Sequence, residues 1–361
     1  MQLNSRLTKL KSQIGTILWI TFFWTLISLS QFTIGYLTLL DLSCNLEGIS
    51  VQAYVWGSFI TGIFAGLTGG MLIVFVWSKW LRTKSYGQSL LGIFWSYTLI
   101  YVLVRVATEF VGPGQSQPQS LGTSGILGLP MDSINNIYNY LFWLFVTLLT
   151  LIAMLVNDKY GPGVFLSFLM GKYFQPKREE RVFMFLDLRG STSIAEKLGE
   201  AQYFNFLKDV FRDATPAITK SKGEIYQYVG DEIVISWKKD LGFKEANCLQ
   251  CFFDIQQGLL DKTSYYRESY ENTVPEFKAG LHYGFVMVGE IGILKRDIAY
   301  SGDVLNTTAR IQSKCNEIGV NILVSEYLVK SLSAISKFFD PKPIGEMALR
   351  GKQKAVMLYT I

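Results

Sequence analysis

Four long apolar runs constrain this chain before any other feature does. Ile14–Leu40, Val51–Trp77, Tyr86–Val111 and Ile134–Val156 each reach the length of about 20 apolar residues that a helix needs to cross a bilayer. Buried helices of a soluble protein would carry polar faces, which these runs lack. The first run is too long for the apolar core of a cleaved leader, and no small-residue cleavage pattern precedes the second. Residues 1–156 therefore read as an α-helical transmembrane module of four helices, spanning about 14–40, 51–77, 86–111 and 134–156. Residues 157–180 read as a juxtamembrane connector, and 181–361 have the mixed charge and broken periodicity of a globular domain.

Basic residues beside the runs set an orientation. Arg6, Lys9 and Lys11 precede the first run, Lys79, Arg82 and Lys84 separate the second from the third, and Lys159 follows the fourth. The other two loops, 41–50 and 112–133, contain no Lys or Arg, which places both termini and the globular half in the cytoplasm. The net charge of +5 partly reflects these flanks rather than a nucleic-acid site. Arg105 and Glu109 share a helix face near the outer end of the third run and read as an ion pair reaching the interface. The connector carries Gly161-Pro162-Gly163, an apolar segment and then Lys172, Lys177 and Arg178, as expected of a helix break followed by a membrane-surface segment. Cys44 reads as a free thiol in an outer loop, and Cys248 and Cys251, despite their CxxC spacing, as core residues of a helix.

In the globular half, Arg181–Leu188 reads as a buried strand. Ser193 and Glu196 form a capping box that opens a helical region lasting to about Lys220. Ile225–Val229 and Ile233–Trp237 suit a hairpin around Gly230-Asp231-Glu232. A helix over about 243–260, strands near 276–286, a helix from Val304 to about Asn316 and a β-rich end complete the pattern. The expected fold is an α+β domain whose helices flank a mainly antiparallel sheet.

Candidate chemistry lies at the joints between these elements. Asp187 ends a hydrophobic strand and precedes a glycine turn into a helix, where backbone N–H groups suit phosphate and the carboxylate suits a hard cation. Asp231 stands in the hairpin turn. Asn306 and Arg310, spaced i, i+4 on the helix after Gly302-Asp303, offer an amide for a ribose and a guanidinium for a reacting phosphate. Taken singly, each has an ordinary structural reading: a strand-end aspartate, a turn aspartate, a surface polar pair. His282 reads as a packed strand residue.

Together the ordered series FLDLRGST, YVGDE, GLHYGFVMVGEIG, SGDVLNTTAR and LRGK resembles the class III adenylyl and guanylyl cyclase catalytic domain over about residues 180–361. The resemblance implies that Asp187 and Asp231 bind two Mg²⁺ or Mn²⁺ ions, and that the backbone of Leu188, Arg189, Gly190, Ser191 and Thr192 holds phosphate. It also implies that Asn306 orients the ribose, Arg310 stabilises the transition state and Arg350 contacts the triphosphate. Gln227 and Ala299 fall where the family reads the base, and both depart from its usual lysine and aspartate or threonine. Arg350 stands for the usual lysine. The implied activity is two-metal formation of a 3′,5′-cyclic nucleotide and pyrophosphate from a nucleoside triphosphate, ATP being favoured, in a membrane-bound homodimer. A guanylyl or other nucleotide cyclase, or a catalytically silent membrane receptor with a cyclase-like domain, are the alternatives. A diguanylate cyclase would lack the Asn306/Arg310 helix and the LRGK ending.

Overall fold

A computed structural model describes residues 2–41, 51–111, 134–160, 171–294, 296–332, 338–349 and 355–361. The chain divides into two compact units, Met1–Lys159 and Tyr160–Ile361. Cys44, residues 161–170 of the connector and Arg350 lie outside the described residues, as do the side chains of Arg105 and Glu109.

The first unit is helical: α1 (Gln2–Asp41), α2 (Val51–Leu72), α3 (Ser78–Thr83), α4 (Tyr86–Val111) and α5 (Ile134–Tyr160). A π-helical turn, Ile73–Trp77, joins α2 to α3. Among the described residues three helices are long and apolar enough to cross a membrane, covering Gln13–Leu37, Val55–Leu81 and Ile137–Asn157. The run expected to be the third of four spans forms α4, which is not one of the three.

The α1/α2 contact depends on three glycines at four-residue spacing. A Cβ on Gly62 would stand 2.7 Å from Thr25 Cα, one on Gly66 2.5 Å from Thr21 Cα, and one on Gly70 3.3 Å from an Ile17 methyl. These backbones therefore approach too closely for a side chain, the usual basis of helix packing in lipid, where apolar burial drives nothing. Hydrogen bonds tie the other helices: Trp24 Nε1 donates to Thr150 Oγ1 (3.1 Å), Gln31 Nε2 to Asn139 Oδ1 (3.0 Å), and Trp77 Nε1 to Ser96 Oγ (2.9 Å). Gly66→Leu should destabilise this unit by about 1–3 kcal/mol through overpacking. Gly57→Ala, which adds a methyl where nothing lies within 4 Å, is the control. Thermal unfolding of the detergent-solubilised chain checks this, and equal melting temperatures would show that the stripe is not a packing seam.

The second unit contains β1 (Lys177–Leu188), α6 (Ser191–Leu198), α7 (Glu200–Lys220), β2 (Glu224–Val229), β3 (Glu232–Lys238), α8 (Lys239–Phe243), α9 (Asn247–Leu260) and α10 (Thr263–Ser269). It continues with β4 (Phe277–Ile291), β5 (Asp297–Ser301), α11 (Asp303–Ile318), β6 (Ile322–Ser325), α12 (Glu326–Ser331), β7 (Lys342–Met347) and β8 (Val356–Thr360). The sheet has eight strands in the order β2-β3-β1-β4-β6-β8-β7, with β5 also paired to β4. It is mixed, because β4 and β6 run parallel while the other described pairs are antiparallel.

Alternation along β1 divides the core. Val182, Met184, Leu186 and Leu188 pack against Phe206 and Val210 of α7 and Leu249, Phe252 and Ile255 of α9. Phe183 and Phe185 face the opposite side, with Val234, Val286, Val288 and Val304. Cys248 and Cys251 belong to the first core, where burial pushes both thiols up to about 12 and keeps them protonated. His282 is half-buried in β4, its Nδ1 2.7 Å from Ser325 Oγ.

The helical region expected from Ser193 begins earlier. Gly190, in the left-handed conformation (φ 65°), turns the chain from β1 directly into α6, so Ser193 lies inside the helix and caps nothing. Gly199 (φ 75°) then separates α6 from α7.

Candidate active site

The face of the sheet opposite α7 and α9 carries α11, and that placement builds the site. A Cβ on Gly280 would stand 2.4 Å from the backbone nitrogen of Gln312, so α11 lies directly on β4. Asp187, at the end of β1, is flanked in register by Glu232 of β3 and Lys278 of β4. Its Oδ2 accepts from Gln312 Nε2 at 2.9 Å and pairs with Lys278 Nζ at 2.9 Å. The Lys278 side chain is 11% exposed. Sequence reading missed both partners, although a lysine inside the apolar strand FKAGLHYGF needs a counter-charge and so signals one.

Asp231 follows Gly230 (φ 61°) in the β2–β3 turn and is hydrogen-bonded to the Ser191 side chain. Burial, and then the charge of Asp187, raise its pKa against the opposing effect of the Ser191 bond. Glu232 is pushed up to about 7 by burial and by the charges of Asp187 and Asp231, with Lys278 pulling it down. Tyr203 of α7 is hydrogen-bonded to Ser191 as well, and burial followed by the Asp231 charge raises its pKa. These are hard oxygen donors whose mutual repulsion a divalent cation would relieve, which fits Mg²⁺ or Mn²⁺. Among the described residues no group of three or more His, Cys, Asp or Glu forms a metal cage. Further ligands would have to come from backbone, water or substrate.

The first helical hydrogen bond of α6 runs from Ile194 N–H to Gly190 O, so the N–H groups of Ser191, Thr192 and Ser193 have no intrahelical acceptor. Leu188 is buried at 1% exposure. The Arg189 N–H donates to Glu276 O (2.8 Å), and its guanidinium donates to Asn321 Oδ1 (2.8 Å) and Val320 O (2.6 Å). Arg189 thus anchors the turn, while the open donors lie from Ser191 onward.

Asn306 is exposed and Arg310 half-buried on α11. Among the described residues neither side chain has a hydrogen bond or an ion pair. Arg310, with Ser313, Lys314, Ala348 and Leu349, lines a cavity of about 400 Å³. Lys314 pairs with Glu317 at 2.5 Å. A helix turns about 100° per residue, which puts Asn306 and Arg310 about 40° apart and Gln312 about 200° from Arg310. Gln312, which reaches Asp187, therefore lies on the opposite side of α11 from Arg310 and about 120° around the helix from Asn306. Gln227 is exposed on β2, and Ala299 is half-buried on β5.

Residues 174–361 match the adenylate and guanylate cyclase catalytic domain. Adenylate cyclase 2 of Rhizobium meliloti is 37% identical over 204 residues, covering 56% of this chain and 56% of that protein. The adenylate cyclase of Anabaena cylindrica is 30% identical over 183 residues, covering 49% of this chain and 36% of that one. The chain thus spans about half, or less, of the length of these curated relatives. A bacterial light-regulated adenylyl cyclase of solved structure has a TM-score of 0.53 at 21% identity, covering 64% of this chain and 66% of that one, a likeness of fold. On the match of the family over half its length, and with an α+β sheet domain that carries the motifs, this chain belongs to the class III adenylate and guanylate cyclase family.

Proposed function

We propose that the protein is a membrane-bound class III cyclase that forms 3′,5′-cyclic AMP and pyrophosphate from ATP. The observation that carries this reading is the meeting of Asp187 and Asp231 beside the open N–H groups of α6. Adenine is favoured because the relatives matched at 37% and 30% identity bear the name adenylate cyclase, and because Gln227 is not acidic. Residues 1–156 would anchor it by four spans with both termini cytoplasmic, which the three apolar helices and the basic flanks support.

In the reaction, O3′ of the ribose displaces pyrophosphate from the α-phosphorus, and the O3′ proton leaves to solvent. Two Mg²⁺ or Mn²⁺ ions held by Asp187 and Asp231 would supply Lewis-acid activation of the 3′-hydroxyl and charge neutralisation on the phosphates. The open N–H groups of Ser191 and Thr192, at the positive end of α6, suit phosphate oxygens. Asn306 orients the ribose, and Arg310 meets charge developing on the transferring phosphoryl group. Arg350 follows Ala348 and Leu349, which line the Arg310 cavity, and adds a cation for the triphosphate.

Because Gln312 and Arg310 point to opposite sides of α11, Arg310 of one chain is turned away from its own Asp187. A homodimer in which each site takes Asp187 and Asp231 from one chain and Gln227, Asn306, Arg310 and Arg350 from the other accounts for this. The full-length protein, assayed with Mn²⁺ and each of ATP, GTP, CTP and UTP, should make cyclic AMP fastest. A cyclic GMP product would transfer the reading to guanylyl cyclase, and no product from any of the four would sink it. Substituting Gln227 with Glu or Lys should change the ratio of rates on ATP and GTP.

A further inference from the structure

Strand β2 does not pair evenly with β3. Ile225 stands opposite Ile235, but Gln227 stands opposite Val234, so Tyr226 is an extra residue in a β-bulge. An even ladder would put Gln227 opposite Ile233, whose side chain lies in the core covered by α7 and α9. The bulge instead sets Gln227 against Val234, on the face that carries α11. Tyr226 packs on that same face. Two consecutive side chains thus reach the side of the sheet where Asn306 and Arg310 are expected to hold the nucleotide.

Tyr226 also reaches the strand that carries the other base-facing position, through Tyr300, the residue after Ala299. Its ring lies edge-on to Tyr300, with centroids 4.7 Å apart, and its hydroxyl accepts the Tyr300 N–H at 3.4 Å. That N–H belongs to the peptide joining Ala299 to Tyr300. Tyr300 also meets the Phe183 ring at 5.4 Å and the buried Arg181 guanidinium at 4.8 Å. Among the described residues the Tyr226 hydroxyl proton has no acceptor, and Ala299 has no polar side-chain atom to offer.

We propose that Tyr226 is a specificity-determining residue of the nucleotide site, whose hydroxyl beside Ala299 gives the purine edge a second hydrogen-bonding partner next to Gln227. The inference rests on the reading of positions 227 and 299 as base-facing. With the phenol proton directed at N1 and the Gln227 carbonyl at the 6-substituent, the pair matches the acceptor and donor of adenine, whereas guanine presents the reverse order there, an N1–H donor and an O6 acceptor.

Tyr226→Phe in the full chain keeps the ring against Tyr300 and removes only the hydroxyl. One lost hydrogen bond of ordinary strength should raise KM for the preferred triphosphate about tenfold and move the ATP-to-GTP ratio of kcat/KM by about the same factor. Melting temperature and kcat should stay close to wild type. A uniform change on all triphosphates, or no change, would overturn the proposal, since a merely structural role moves both substrates together. Gln227→Ala measured in parallel separates the two levels. If it shifts the ratio and Tyr226→Phe does not, the base site stands and the role of Tyr226 falls. If neither shifts the ratio, both fall.

Discussion

Asp231→Ala should lower cyclic-nucleotide formation by about a thousandfold or more, because it removes a ligand from a site that must neutralise triphosphate charge. The fold should not suffer. The pKa of Asp231 is raised by burial and by Asp187, so above the unfolded carboxylate pKa its ionised form opposes folding, and truncation relieves that strain. The melting temperature near neutral pH should be unchanged or higher. Asp187 is the poorer probe, because its loss strands Lys278 and the Gln312 amide. Leaving such a buried cation unpaired costs about 3 kcal/mol, so Asp187→Asn, which retains an acceptor for both, is the cleaner variant there. A folded Asp231→Ala protein with near-wild-type turnover would refute the two-metal assignment.

Mixing two inactive chains should restore activity. A chain with Asp231→Ala and a chain with Asn306→Ala each lack one half of every site. In a mixed dimer one site carries both lesions and the other carries neither. With random pairing about half the dimers are mixed, each with one intact site of two, so activity should return to about a quarter of wild type. A site built within one chain would give no recovery once chain exchange is demonstrated, for example by co-purification of differently tagged copies.

Periodicity and local chemistry made much of this molecule legible in advance. The continuous apolar run Val182–Leu186 marks β1 because a strand with a core on both faces needs apolar side chains at successive positions. The turn Gly230-Asp231 and the helix after Gly302 are short-range features, and both appear at their expected places. Apolar length alone identified helices suited to a bilayer, since lipid demands little else of a sequence. Other properties depend on partners distant in the chain. The start of α6 at Gly190 follows from the turn out of β1, which overrides the local preference of Ser193. The glycine stripe of α2 acquires its role only against Thr21 and Thr25 of α1. Lys278 and Gln312 reach Asp187 from a neighbouring strand and an overlying helix, 91 and 125 positions away in the chain. The bulge at Tyr226 decides which face Gln227 takes, because a shift of one residue in register moves a side chain through the sheet. Sequence determined which residues could do the chemistry; the packing of β1, β4 and α11 decided which of them meet, because contact between distant side chains depends on register and close approach, and neither is encoded in any one segment.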